Sequence, residues 1–237
     1  MIDRTRKSFE ESYGRFKNYS TPDLKPKHIA ALDKDVWSVS GCAPHMAMLE
    51  IGCGTGRFLA YLRHKKVADF VGLDQDLSLA GVIPAGLANN FQNVEVREFL
   101  ASGARGRLFD RIFLLDVLEH FSVEAGADLL RDLIPALKPD GRIVLKLPNM
   151  SSPWGAQYQF GDLTHRAAYT PLSIRQLAQA TGYECLTCRA QPMGSPFRHR
   201  ANWLLNKILD KILMEPPEIW TANFLAVLQP LPVVRKT

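Results

Sequence analysis

Leu49-Glu50-Ile51-Gly52-Cys53-Gly54-Thr55-Gly56 sets an acidic residue beside three glycines spaced by two. Glycine is needed where the backbone turns with positive φ and where a ligand must touch the main chain. A ligand cradled there meets bare amides, and the helix that follows adds free N–H groups and a partial positive end. A dinucleotide-binding loop would place glycines at 52, 54 and 57, but position 57 is Arg57. Asp74 closes Val71-Gly72-Leu73-Asp74 and stands 22 residues beyond Gly52. A carboxylate at that place can accept hydrogen bonds from both hydroxyls of a ribose. Asp76 competes for that role, and a helix N-cap is the alternative role for Asp74. Two further blocks carry imidazole: Asp116-Val117-Leu118-Glu119-His120, and Gly161-Asp162-Leu163-Thr164-His165. His120 and His165 are candidate catalytic bases, able to take a proton from a hydroxyl near neutral pH. Asp162 lies three residues before His165 and could orient it.

These groups need a frame that gathers distant loops at one edge. Apolar runs at 46–51, 68–74, 94–98, 111–115, 142–147, 184–189 and 221–228 predict seven strands. Helical spacing predicts helices over 56–64, 77–89, 123–137, 171–181 and 202–213, with Gly182 just past the end of the fourth. Strands alternating with helices indicate a mostly parallel, doubly wound α/β sheet covered on both faces. In such sheets ligands bind beyond the carboxyl ends of the strands. Asp74, Asp116 and His120 are expected there. Residues 1–45 read as a polar helical cap with aromatics at Phe9, Tyr13, Phe16 and Tyr19, and 149–170 as a long loop. The whole of 1–237 reads as one domain.

The glycine spacing with Glu50 beside it resembles motif I of the class I S-adenosylmethionine-dependent methyltransferases. Asp116-Val117-Leu118-Glu119-His120 is similar to their fourth motif, and the Lys138-Pro139-Asp140-Gly141-Arg142 turn fits the same family. The resemblance spans roughly 45–190. It implies S-adenosyl-L-methionine as cofactor and a Rossmann-like, seven-stranded sheet with the last strand antiparallel. Over this chain it implies cofactor contacts at Glu50, Gly52, Cys53, Gly54, Gly56, Asp74, Gln75, Asp116 and Val117. The family's usual adenine-binding Asp is replaced by Glu98-Phe99-Leu100-Ala101. Glu98 is expected to substitute for it, or Phe99 to pack on the adenine. By the same resemblance 46–148 form the cofactor-binding half and 149–237 the substrate side.

A narrower likeness runs from Gly161 through Leu177 to Thr181-Gly182-Tyr183. It resembles methyltransferases of bacterial surface-polysaccharide and glycolipid biosynthesis. It implies O-methylation of a sugar hydroxyl on a glycan, nucleotide-sugar or lipid-linked acceptor. The alternatives are another small metabolite methylated at oxygen or nitrogen, and a cofactor-binding subunit that positions a partner enzyme. No metal is expected, because no ligand spacing demands one; the alternative is a metal held through Asp116, Asp162 and His165.

Composition narrows the field. The net charge is +5, with the basic residues spread out, and no aromatic-interleaved basic run suggests a nucleic-acid platform. No stretch approaches the ~20 apolar residues of a membrane span, and no secretory leader is evident, so a cytoplasmic protein is expected. Four scattered cysteines fit a reducing compartment. Cys185 and Cys188 are expected to point to opposite faces of a strand. Arg198-His199-Arg200 precedes a helix with Leu205, Ile208, Leu209, Ile212 and Leu213 on one face. That segment, 198–213, could rest on the inner face of an anionic membrane, or pack on the domain or on a second copy as a homodimer.

Overall fold

A computed structural model describes residues 4–103, 106–192 and 194–232. In chain order the main elements are α1 (Arg4–Lys17), α2 (Pro26–Leu32), α3 (Ser38–Ser40), β1 (Ala47–Ile51), α4 (Arg57–His64), β2 (Asp69–Asp74) and β3 (Phe91–Asn93). Then come α5 (Val96–Glu98), β4 (Phe109–Leu115), α6 (Val123–Leu133), β5 (Leu137–Pro148), α7 (Ala156–Gln159), α8 (Pro171–Ala180), β6 (Tyr183–Ala190), α9 (Pro196–Ile212) and β7 (Asn223–Pro230).

The strands form one seven-stranded sheet in the order β3-β2-β1-β4-β5-β7-β6. All pairs from β3 to β5 are parallel, and β7 runs antiparallel to both neighbours. This is the expected doubly wound α/β architecture. β1 and β4 are the central strands, and every residue of β1 is buried. Their two-sided burial explains why these runs are apolar without alternation. The order reverses between β1 and β4, so the loops after β1, β2 and β4 open onto one crevice.

Local chemistry sets the ends of the elements. Ser122 caps α6 by accepting from Ala125 N. Thr170 and Ser173 form a reciprocal capping box on α8, Pro171 occupies its first turn, and Gly182 follows at φ +86°. Arg111 is buried in β4 and donates to the carbonyls of Ser40 and Gly41, tying the end of α3 to the sheet.

Several boundaries depart from the expected ones. The helix expected over 77–89 is two short 3₁₀ turns, Leu77–Gly81 and Ala85–Asn90, divided where Pro84 cannot continue a helix. The third strand is Phe91–Asn93, not 94–98. Asn93 ends it by bonding the carbonyls of Asp74 and Asp76, and Glu95 then caps α5. The helix from 123 stops at Leu133, and Pro135 lies in the 3₁₀ turn that follows. A register shift between Cys185 and Thr187 places both cysteines on one face, with sulfurs 3.6 Å apart, so the opposite-face expectation fails. α9 begins at Pro196 and is largely exposed; Phe197 is 80% and Trp203 63% accessible. Its apolar stripe is only partly covered: Leu205 and Ile208 are half-exposed, Ile212 is exposed and Leu209 is half-buried. Among the described residues no helix is long and apolar enough to cross a membrane.

Candidate active site

The loop after β1 holds three glycines in left-handed backbone: Gly52 at φ +68°, Gly54 at +52° and Gly56 at +78°. A Cβ on Gly52 would lie 2.5 Å from Val117 Cγ2, whereas one on Gly54 would meet nothing within 4 Å. The first glycine is thus required by packing against the β4 loop, and the second leaves open space at the crevice. Gly54 N donates to Asp74 Oδ2 at 2.9 Å, and Asp76 N donates to Asp74 Oδ1 at 3.0 Å. Asp74 so fixes the glycine loop to the end of β2, and each oxygen keeps a second lone pair. The helix-capping role belongs instead to Asp76, which accepts from Ser78 N at 2.9 Å.

A cleft of about 980 Å³ opens here, lined by Gly52, Gly54, Asp74, Gln75, Asp116, Val117 and His120 among others. Asp116 sits at φ +61°, strained for a residue with a side chain, and pairs with Lys146. A backbone loop free of side chains at Gly52 and Gly54, a carboxylate at the second strand end and a cleft of small-molecule size fit an adenosyl cofactor.

Four expected cofactor contacts lie off the lining. Gly56 faces Ile83 and Pro84, which a Cβ there would crowd. Cys53 is buried beneath the loop, and burial raises its thiol pKa. Glu98 is exposed and Phe99 is buried in the core, because the strand ended early. Val94, Glu95 and Val96 line the cleft in their place. Glu50 is also buried, and its Oε2 has no hydrogen-bond partner. Desolvation, then the Asp74 charge, raises its pKa well above the carboxylate range.

That shift has a measurable sign. A carboxyl whose folded pKa is raised keeps its proton longer when folded, so stability falls as pH climbs from the unfolded value toward the folded one. Glu50→Gln removes this dependence. The melting temperature of the variant, measured without cofactor, should gain on the parent as pH rises from 5 to 8, by about 2–4 °C per kcal/mol. A difference that stays flat with pH would contradict the assignment.

The wall opposite the sheet loops was missed from sequence. Tyr13, Lys17 and Tyr19, on and just after α1, line the cleft. Their helical spacing was visible, but nothing local said which surface they cover.

At the far end of the cleft, the carbonyl of Glu119 accepts from Arg166 N at 2.7 Å and Ala167 N at 3.1 Å. This pins the 162–167 segment against the loop after β4 and brings two distant histidines together. The His120 and His165 rings lie 4.6 Å apart, edge to face. Asp162 does not orient His165 as expected: its Oδ2 is 3.9 Å from His165 Nε2. The Asp162 bonds run to Lys17 at 2.9 Å and to Thr164 Oγ1 at 2.6 Å. Its pKa lies far below the ordinary range; bonds from Thr164 and Lys17 outweigh its desolvation. Because that carboxylate only accepts, the Thr164 hydroxyl donates to it and accepts from His120 Nδ1 at 2.9 Å. His165 Nδ1 lies 2.9 Å from the carbonyl of Gln159, which also only accepts. Both rings therefore donate through Nδ1–H, which leaves Nε2 as the atom that can face an acceptor. Desolvation, then neighbouring His165, pushes the His120 pKa down to about 4, so it is neutral at physiological pH.

Comparison with known proteins agrees with this geometry. A family model described as "Methyltransferase domain" matches residues 28–187. No curated protein matches the chain. Among solved structures, a SAM-dependent methyltransferase from Archaeoglobus fulgidus aligns over 84% of this chain and 91% of its own, at TM-score 0.60 and 19% identity. The 1,6-didemethyltoxoflavin-N1-methyltransferase of Burkholderia thailandensis, solved with its substrate and S-adenosylhomocysteine, aligns over 95% and 87% at TM-score 0.59 and 18% identity. The plantazolicin methyltransferase BpumL, solved with a substrate analogue and S-adenosylhomocysteine, aligns over 96% and 91% at TM-score 0.58 and 19% identity. At these identities the likeness shows the shared fold. With the glycine cradle, the Asp74 carboxylate and the family match covering more than half its length, the chain belongs to the S-adenosylmethionine-dependent methyltransferases.

Proposed function

We propose that this methyltransferase alkylates a hydroxyl oxygen of a small polar acceptor, with a sugar hydroxyl on a glycan, nucleotide-sugar or lipid carrier as the favoured class. The observation that carries the reading is the pair of imidazoles beside the donor cleft, each anchored through Nδ1 so that Nε2 is left to meet an acceptor. An amine acceptor brings its own lone pair, but a hydroxyl is a poor nucleophile until a base takes its proton.

Gly52, Gly54, Asp74, Gln75, Asp116 and Val117 hold the donor in this reading, and 149–237 form the acceptor side. S-adenosylmethionine, when bound, supplies a methyl carbon already activated by positive sulfur. The chain aligns the acceptor oxygen with that carbon and keeps water out, which can contribute up to ~7–11 kcal/mol. His120 or His165 would take the hydroxyl proton on Nε2 as the acceptor oxygen attacks the activated carbon. Asp162, through Thr164, holds the His120 ring in the productive tautomer.

The test is a product assay with S-adenosylmethionine and a panel of nucleotide-sugars, lipid-linked sugars, phenols and amines, read by mass spectrometry. O-methylated sugar is the expected product. Methylation confined to nitrogen, or donor binding without transfer to any acceptor, would overturn the reading. Asp74→Ala should weaken S-adenosylhomocysteine binding at least about tenfold, as loss of a charged hydrogen-bond acceptor predicts.

A further inference from the structure

We propose that Glu119, His120 and His165 hold a divalent transition-metal cation, a site where buried carboxylate meets two imidazoles and leaves positions open for acceptor oxygens. One ligand atom from each residue lies within 4.8 Å of the other two. Atoms this close can surround one ion at ligand distances of about 2.0–2.2 Å after small side-chain rotations.

Three independent features point to a cation. Glu119 is 1% accessible, yet neither carboxylate oxygen has a well-formed hydrogen bond. A buried carboxylate is ordinarily paired or coordinates a metal. Each imidazole is anchored through Nδ1–H, to the Gln159 carbonyl in one case and to the Thr164–Asp162 relay in the other. This is the outer-shell pattern that orients metal-binding histidines and frees Nε2 as the ligand. The segment bearing His165 is held there by two backbone bonds to the Glu119 carbonyl, so the ligands come from two loops locked together.

Two imidazoles and one carboxylate suit a borderline cation such as zinc, iron, cobalt or manganese, and three protein ligands leave room for one or more oxygens. The purpose of the site rests on the hydroxyl-methylation reading above. With both Nε2 lone pairs on the cation, the imidazoles no longer take the proton. The positive charge beside the acceptor oxygen lowers the pKa of its hydroxyl, so the proton is lost to solvent as the acceptor binds, before water is excluded.

The experiment uses full-length, tag-free protein stripped with chelator. Zn²⁺ is titrated by calorimetry and Co²⁺ by visible absorption, both without donor or acceptor. One cation per chain is expected, with a cobalt spectrum of nitrogen and oxygen ligation. Glu119→Gln and His165→Ala should each weaken binding at least about 100-fold, beyond the 10–100-fold typical of an outer-shell change. S-adenosylhomocysteine binding to both variants verifies that they are folded. Absence of binding, equal binding by parent and both variants, or thiolate charge-transfer bands marking the Cys185–Cys188 pair would overturn the proposal. Stripped protein that still methylates hydroxyls at the full rate would overturn the cation and leave the hydroxyl reading standing. A bound cation sensitive to both variants, with no hydroxyl methylated, would uphold the site and reject that reading.

Discussion

Gly52→Ala should lower S-adenosylhomocysteine affinity by at least about 30-fold in a calorimetric titration. Two penalties combine at this one residue. Its backbone is left-handed, at φ +68°, which costs an ordinary side chain roughly 1–2 kcal/mol. The new Cβ would also lie 2.5 Å from Val117 Cγ2. Overpacking of that kind typically costs about 1–3 kcal/mol. Relieving either penalty moves the loop or Val117, and both line the donor cleft. At about 1.4 kcal/mol per factor of ten, a sum of about 2–5 kcal/mol supports a loss of roughly 30-fold or more. Gly54→Ala is the control. Its Cβ meets nothing, so only the backbone penalty and the intrusion into the cleft remain, and the variant should lose less melting temperature than Gly52→Ala. Parent-like donor affinity in Gly52→Ala would refute the view that this loop is the cradle.

His165→Ala should reduce kcat by about 10²–10⁴-fold while leaving the donor dissociation constant within about threefold. The separation follows from position: His165 packs against His120 but does not line the donor cleft, and its anchor is the Gln159 carbonyl. The change removes a group that handles the acceptor proton, directly or as a cation ligand, and leaves the glycine loop and Asp74 untouched. Thr164→Val provides the finer comparison. It breaks the relay from Asp162 to His120 Nδ1 yet keeps both imidazoles, so its kcat should fall less than that of His165→Ala. Loss of donor binding in His165→Ala, with turnover per bound donor preserved, would contradict the placement of this residue at the acceptor end.

Much of the donor side was legible because its rules are local. Glycine spacing, a carboxylate at a strand end and alternating strand and helix patterns each depend on a few adjacent residues. Asp74, Asp116 and Val117 consequently fall on the cleft as expected. The adenine side failed for an equally local reason: Asn93 ends β3 early by bonding across to the β2 loop, and the three following residues slide into the place assigned to Glu98. The acceptor end depends on tertiary contact. That Asp162 serves His120 rather than His165 follows from the Glu119 carbonyl capturing the 166–167 amides, a pairing across more than forty residues that no periodicity announces. The Glu119 carboxylate was passed over because its burial without a hydrogen-bond partner becomes visible only once the chain is folded. The cysteine pair was misplaced by one bulge, since a single extra strand residue reverses which face a side chain meets.

One wall of the cleft belongs to the opening helix rather than to the sheet. No strand ladder joins α1 to the loops it faces. The Lys17–Asp162 ion pair at 2.9 Å and the edge-on contact of Tyr13 with His120, ring centres 6.0 Å apart, bridge the two sides. A wall tied on by side chains rather than by a ladder can shift without unzipping a β-bridge, so this side of the cleft answers to the charge on Lys17 and Asp162 in a way the sheet loops do not.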